Sequence, residues 1–158
     1  MEIQPQLRNT KITWCETVPV ELKTLLLPIL DEILWLLPRW CEELLIEFDP
    51  KPEDNFTAAC VNSEEYRWVK ILVSSYWLQY SIKERKYALI HEFIHASNGY
   101  IGNYIKKLTD KFITDEAAKI FLKGEGQQYI ERATQDLAAC IYAKIYSELP
   151  PLHVKDKK

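Results

Sequence analysis

An excess of basic charge is the first thing this chain lacks. Twenty Lys and Arg stand against 23 Asp and Glu, for a formal charge of −3. That balance argues against nucleic acid as the main partner, because phosphate binding needs a basic face. Long apolar runs free of charge are missing too. The most apolar stretch, 20–37, carries Glu21, Lys23, Asp31 and Glu32 and is interrupted by Pro28. Each charge at bilayer depth costs roughly 2.5 kcal/mol or more, so a membrane span fails and a buried core helix is expected. The opening residues, Met1-Glu2-Ile3-Gln4-Pro5, have neither the basic nor the apolar region of a secretion signal. Cys15, Cys41, Cys60 and Cys140 form no C-x-x-C pair, which leaves a zinc ribbon or thioredoxin-like motif unsupported. They are expected as reduced, mostly buried thiols of a cytoplasmic protein. Repeats and low-complexity segments are absent, and histidine is scarce: His91, His95 and His153 are all there are.

What is present fits one folded domain. The 158 residues are 47% apolar and 27% charged, enough to build one core. The domain is expected over 1–150, with a loose charged tail at 151–158. The first 18 or so residues are expected to be irregular or extended. Pro19 stands where a helix can begin, and Leu22, Leu25, Leu26, Ile29, Leu30, Ile33 and Leu37 recur at helical spacing. Pro28 should kink this helix and Pro38 should end it. Three strands are expected at 44–48, 56–61 and 66–73, the last two joined as a hairpin. Ser81 and Glu84 form a capping box that starts a helix, and Asn98-Gly99 signals its stop. Thr114-Asp115-Glu116 can start a short helix ended by Gly124. A last helix is expected over 127–147, stopped by Pro150-Pro151.

The chemistry centres on His91-Glu92-Phe93-Ile94-His95. Residues four apart on a helix are separated by about 400° of rotation, so both imidazoles leave one face, a turn apart. That suits two ligands of one tetrahedral zinc ion. Glu92 projects about 100° round from His91, beside the ion and not on it. There a carboxylate can take a proton from zinc-activated water and pass it to a leaving amine. H-E-x-x-H on a helix is the signature of zinc peptidases. A helix C-terminus near the histidines would also favour a cation.

A catalytic zinc site needs a third protein ligand. The metzincin pattern would place a histidine at position 101 and glycine at 98, but these are Ile101 and Asn98. His153 sits in the charged tail, a poor place for a rigid ligand. Cys60 or Cys140 can serve in principle. A glutamate on a following helix is the remaining common solution. Glu131, flanked by Ile130, Thr134 and Ala138, is favoured, with Glu125 in reserve. Gln135 or Asp136 can orient a ligand histidine.

His91-Glu92-x-x-His95 followed by Glu131 on a later helix resembles the gluzincin branch of zinc peptidases. The order of helix, strands, H-E-x-x-H helix and glutamate helix is similar to the reduced, single-domain minigluzincins. The run Leu37-Pro38-Arg39-Trp40-Cys41 is similar to small metallopeptidases of phage and bacterial origin. The resemblance implies an α+β, zincin-like fold with an N-terminal helix, a small three-stranded sheet, the H-E-x-x-H helix and a C-terminal glutamate helix. It implies Zn2+ as cofactor, Glu92 as the base, and a peptide or protein substrate bound by strand addition at 66–73 or 56–61. Larger gluzincins stabilise the oxyanion from a second domain; here Tyr100, Tyr104, Tyr129 and Arg132 are the candidates, and no choice among them follows.

Trp35, Trp40, Trp68 and Trp77 read most simply as core packing, with an apolar substrate cleft as the functional reading. Against the peptidase stand two other classes: a degenerate zincin acting as a metal-stabilised protein-binding module, and another zinc-assisted amide hydrolase. Glu92 favours chemistry, since a structural site has no use for a base beside the ion. Oligomeric state is not legible.

Overall fold

Alternating apolar residues near the N-terminus open a sheet. In the computed structural model, which describes residues 10–53, 56–63 and 65–151, Lys11–Trp14 forms strand β1. Ile12 and Trp14 pack against the core, while Lys11 and Thr13 both donate to the Glu43 carboxylate, at 3.2 and 2.6 Å. The extended half of the expectation for this region therefore holds. Helix α1, Val20–Ile33, buries Leu22, Leu26, Ile29, Leu30 and Ile33. Pro19 is its N-cap, one residue before the expected position. Pro28 is tolerated within α1 on the exposed side, where water can satisfy the backbone carbonyl that proline leaves unbonded. α1 stops short of 37 and passes into a 3-10 turn, Leu34–Leu36. Leu37 is extended, with ψ 148°, because a residue before proline is pushed out of the helical region.

Glu43–Asp49 (β2), Ala58–Ser63 (β3) and Trp68–Ser74 (β4) complete the sheet. It has four strands, not three, in the order β1-β2-β4-β3. β1 and β4 lie parallel to β2, while β3 is antiparallel to β4. Leu44, Ile46, Val69, Ile71 and Val73 are fully buried on it, which is the alternation expected of strands covered on one face. Trp77, in the 3-10 turn Ser75–Gln79, is fully buried, in line with core packing, whereas Trp35 is exposed. The four cysteines are free thiols, but of them only Cys41 is fully buried.

Helix α2, Ile82–Phe112, starts at the expected capping box: Ser81 N donates to Glu84 Oε2 (2.8 Å) and Glu84 N to Ser81 Oγ (3.4 Å). It does not stop at Asn98-Gly99. A Cβ on Gly99 would lie 2.4 Å from Asn62 Nδ2 of β3, and that same nitrogen donates to the Ala96 carbonyl (3.1 Å). The glycine serves a close strand–helix approach inside the helix. α3, Glu116–Tyr146, is likewise one helix in place of the two expected. Asp115 caps it through Ala118 N (2.7 Å), so the start signal at 114–116 is right. Gly124 fails to end it because nothing there requires a positive φ: the chain has no glycine with positive φ among the described residues. α3 ends at Ser147, which is left-handed with φ 53°. No described helix is long and apolar enough to cross a membrane. Tail residues 152–158, His153 included, lie outside the described residues.

Two glycines allow a contrast. Gly99→Ala should lower stability by about 1–3 kcal/mol, because Asn62 must leave Ala96. Gly124→Ala meets open space and should raise it by about 0.5–1 kcal/mol. Urea unfolding of both variants beside the parent checks the pair; equal effects would contradict the close approach.

Candidate metal centre

The helical repeat of α2 turns His91 and His95 toward α3. Their ring centroids are 4.6 Å apart at 74°, and their Nε2 atoms approach to 2.9 Å. Two protonated nitrogens cannot meet at that distance, so a shared proton or a metal cation is needed between them. Glu131, from α3, closes the group: Oε1 lies 3.3 Å from His91 Nε2 and Oε2 3.1 Å from His95 Nε2. One ligand atom from each of the three residues lies within 4.8 Å of the others, and the group can hold a metal ion. Donors of a tetrahedral site with bonds of about 2.0–2.1 Å are roughly 3.3 Å apart. The separations of 2.9, 3.1 and 3.3 Å lie near that spacing, with the two histidines meeting different oxygens of Glu131.

Access is graded across the group. The His91 side chain is 10% exposed, His95 25% and Glu131 31%. His91 is therefore the buried anchor, and solvent reaches the site from the His95–Glu131 side. A cleft of about 430 Å³ begins there and runs between the helices, lined by Gly102, Ile105, Lys106, Gly126 and Ile130 among others. Lys123, also on its wall, pairs with Asp110 at 2.6 Å. None of Trp35, Trp40, Trp68 and Trp77, for which a substrate cleft was the alternative to core packing, is among its lining residues; its apolar side chains are isoleucines.

The alignment of α2 with α3 comes from close packing. A Cβ on Gly102 would sit 3.3 Å from Ile130 Cδ1, and one on Gly126 would sit 3.3 Å from Ile105 Cγ2. Each isoleucine thus rests over the other helix's glycine. Asn98 Nδ2 donates to the buried Thr134 hydroxyl (3.4 Å), and the Tyr87 hydroxyl to the Gln135 carbonyl (3.4 Å). Burial first, then the Asp136 and Glu131 charges, raises the Tyr87 pKa and keeps that donor protonated. Sequence reasoning misses this seam. Its signal is the spacing 91, 95, 98, 102, which continues one helix face past the supposed stop.

The placement of the expected residues is selective. Glu131 reaches the histidines; Glu125, Cys60 and Cys140 are not part of the group among the described residues. Glu125 stands nearly two turns before Glu131 on α3, and Cys140 is exposed. Gln135 Nε2 donates to Glu131 Oε1 (3.3 Å), so it orients the carboxylate and not a histidine. Asp136 is exposed. Tyr100, Tyr104 and Tyr129 are each more than half exposed, and Arg132 lies over the Tyr129 ring at 5.8 Å. The helix-terminus argument for a cation does not apply, since His95 lies in the middle of a 31-residue helix and the dipole acts only in the end turns.

Glu92 is half-buried on the adjoining side of α2. Its charge is felt by Cys60 on β3, whose thiol pKa is pushed well up by burial first and by Glu92 next. A neutral Cys60 is a poor metal ligand. No protein-family model, curated protein or solved structure matches the chain.

Divalent-metal titration followed by calorimetry separates the two glutamates. Glu131→Ala should weaken binding by about 100-fold, while Glu125→Ala should leave it unchanged. Loss in Glu125→Ala alone would overturn the assignment.

Proposed function

We propose that the chain is a zinc-dependent peptidase with a zincin-like fold, holding the ion through His91, His95 and Glu131. The observation that carries this reading is the convergence of three donor atoms within 4.8 Å of one another, with Glu92 next to His91 in sequence on the helix that carries both histidines. Two imidazoles and one carboxylate make a net donor charge of −1, a set used for catalytic zinc with one position left open. When bound, the ion supplies Lewis acidity to a carbonyl and to water.

The chain's own residues supply the rest. Glu92 accepts the proton of the attacking water and returns it to the departing amine. Gln135, donating to Glu131, orients the carboxylate that would hold the ion together with His91 and His95. β3 is the edge strand of the sheet and is tied to α2 by Asn62. Its outer edge can pair with an extended peptide beside Glu92. β4 is flanked by β2 and β3, so of the two candidate strands only β3 can accept one. The resemblance to gluzincins rests on the order of helix, strands, histidine helix and glutamate helix.

Glu92→Gln separates chemistry from metal holding. It should retain one zinc per chain and lose peptide cleavage by about 100-fold to 10,000-fold, with chelator abolishing the parent's activity and zinc restoring it. Full zinc occupancy with no cleavage of a broad peptide library by the parent would favour the binding-module reading instead.

A further inference from the structure

The cleft that starts at the metal centre has a graded lining. At the centre it is bounded by His95 and Glu131. Further along, Gly102 and Ile105 of α2 face Ile130 and Gly126 of α3. Glycine and isoleucine bring no side-chain donor or acceptor, so this middle stretch takes hydrocarbon. The polar groups come last, and two features mark that far end.

The first is a bar across the groove. Asp110 of α2 and Lys123 of α3 join at 2.6 Å. The antiparallel helices set Gly102 against Ile130 and Ile105 against Gly126, and the Asp110–Lys123 pair continues that register about one turn on. An extended chain lying along the groove from the metal meets this bar. The second feature is a lysine left over. The Lys123 bond first, and then the Lys119 and Lys106 charges, hold the Asp110 carboxyl below the usual carboxylate range. Lys123 is committed to Asp110, and Lys119 to Glu116. Among the described residues Lys106 enters no ion pair, and it stands exposed on the cleft wall.

We infer that the cleft holds the C-terminal end of a peptide substrate, with its last side chains on the isoleucines and its terminal carboxylate at Lys106. This rests on the peptidase reading for what happens at the metal. A barred groove favours a chain end over a chain passing through, and a lysine beside the bar favours the end that carries a carboxylate. Spacing adds a length. Glu131 and Lys123 are eight residues apart on α3, about 12 Å along its axis, and an extended peptide covers about 3.3–3.6 Å per residue. The bond placed at the metal is then roughly three to four residues from the C-terminus, and cleavage releases short C-terminal fragments. Lys106 selects the substrate's end and takes no part in the chemistry.

Calorimetry with the zinc-loaded Glu92→Gln chain, which should bind peptide without cutting it, tests the cleft apart from the chemistry. The probes are a short apolar peptide with a free C-terminus, its C-terminal amide, and that amide with a glutamate near its end. The free acid should bind roughly 10-fold to 100-fold tighter than the amide. Lys106→Gln should bring it down to the amide's affinity and Lys106→Arg should keep the difference, with zinc affinity and circular dichroism unchanged in both. In the cleaving parent, mass spectrometry should find the cut at a fixed distance from the C-terminus in peptides of different length, and amidated peptides should be cut more slowly. Equal affinity for acid and amide overturns the inference. So does a preference that survives Lys106→Gln, since the carboxylate would then sit on the zinc. A glutamate amide that binds as tightly as the free acid also overturns it, in favour of an acidic side chain. Cleavage by the parent with no preference for the free acid removes this inference and leaves the peptidase reading standing; a Lys106-dependent preference in binding with no cleavage does the reverse.

Discussion

Glu131 meets His91 and His95 because two 31-residue helices come close enough for each to rest an isoleucine on the other's glycine. The carboxylate has little latitude. A shift of one residue in the α2–α3 register would move it by about 1.5 Å along the axis and 100° around it, out of reach of both rings. Gly102 and Gly126 thus govern the site more firmly than Gln135 does, since a side-chain hydrogen bond of 3.3 Å can be re-made whereas helix spacing cannot. Held there, a carboxylate less than one-third exposed accepts from Gln135 and faces two imidazoles, a setting that a cation would stabilise.

The parts of the site legible in the sequence were those set by local geometry. His91 and His95 share a face because they are four apart, and the Ser81–Glu84 box starts their helix whatever lies around it. Glu131 was legible by its apolar neighbours: Thr134 and Ala138 are fully buried on α3, so a glutamate one turn earlier had to face the same seam. The elements that were misread are ones where glycine has two uses. Gly99 and Gly124 look like stops, yet Gly99 answers Asn62 of β3, and Gly126, two residues past Gly124, answers Ile105 of α2. Glycine costs a helix about 1 kcal/mol against alanine, and close packing readily offsets that. No local window shows which use applies. β1 was missed for a similar reason. Four residues are too short for alternation to be read, and their strand character comes from pairing with β2, over thirty residues away in sequence.

β3 links the sheet to the chemistry. Its antiparallel pairing with β4 leaves it at the edge of the sheet, and Asn62 fastens that edge to α2 at Ala96, between His95 and Gly99. The edge and the histidines therefore belong to one rigid unit. Edge strands normally invite unwanted pairing. Here Glu92 stands beside the strand, near Cys60, and its charge opposes apolar self-association at that edge.

The length of the hairpin beyond the sheet still needs a cause. A metal centre at His91, His95 and Glu131 requires α2 only as far as about Asn98 and α3 only from about Gln127, and helices ending there would expose far less apolar surface. Residues 99–126 instead add two further helical stretches that are joined by the Lys123–Asp110 pair, with Asp115 capping the start of α3. Tyr104, Leu108 and Phe112 repeat every four residues and stay on one side of α2, apart from Gly102, Ile105 and Lys106, which line the cleft. The added length therefore lines the cleft that leads to His95 and Glu131, and the site and its approach belong to the same two helices.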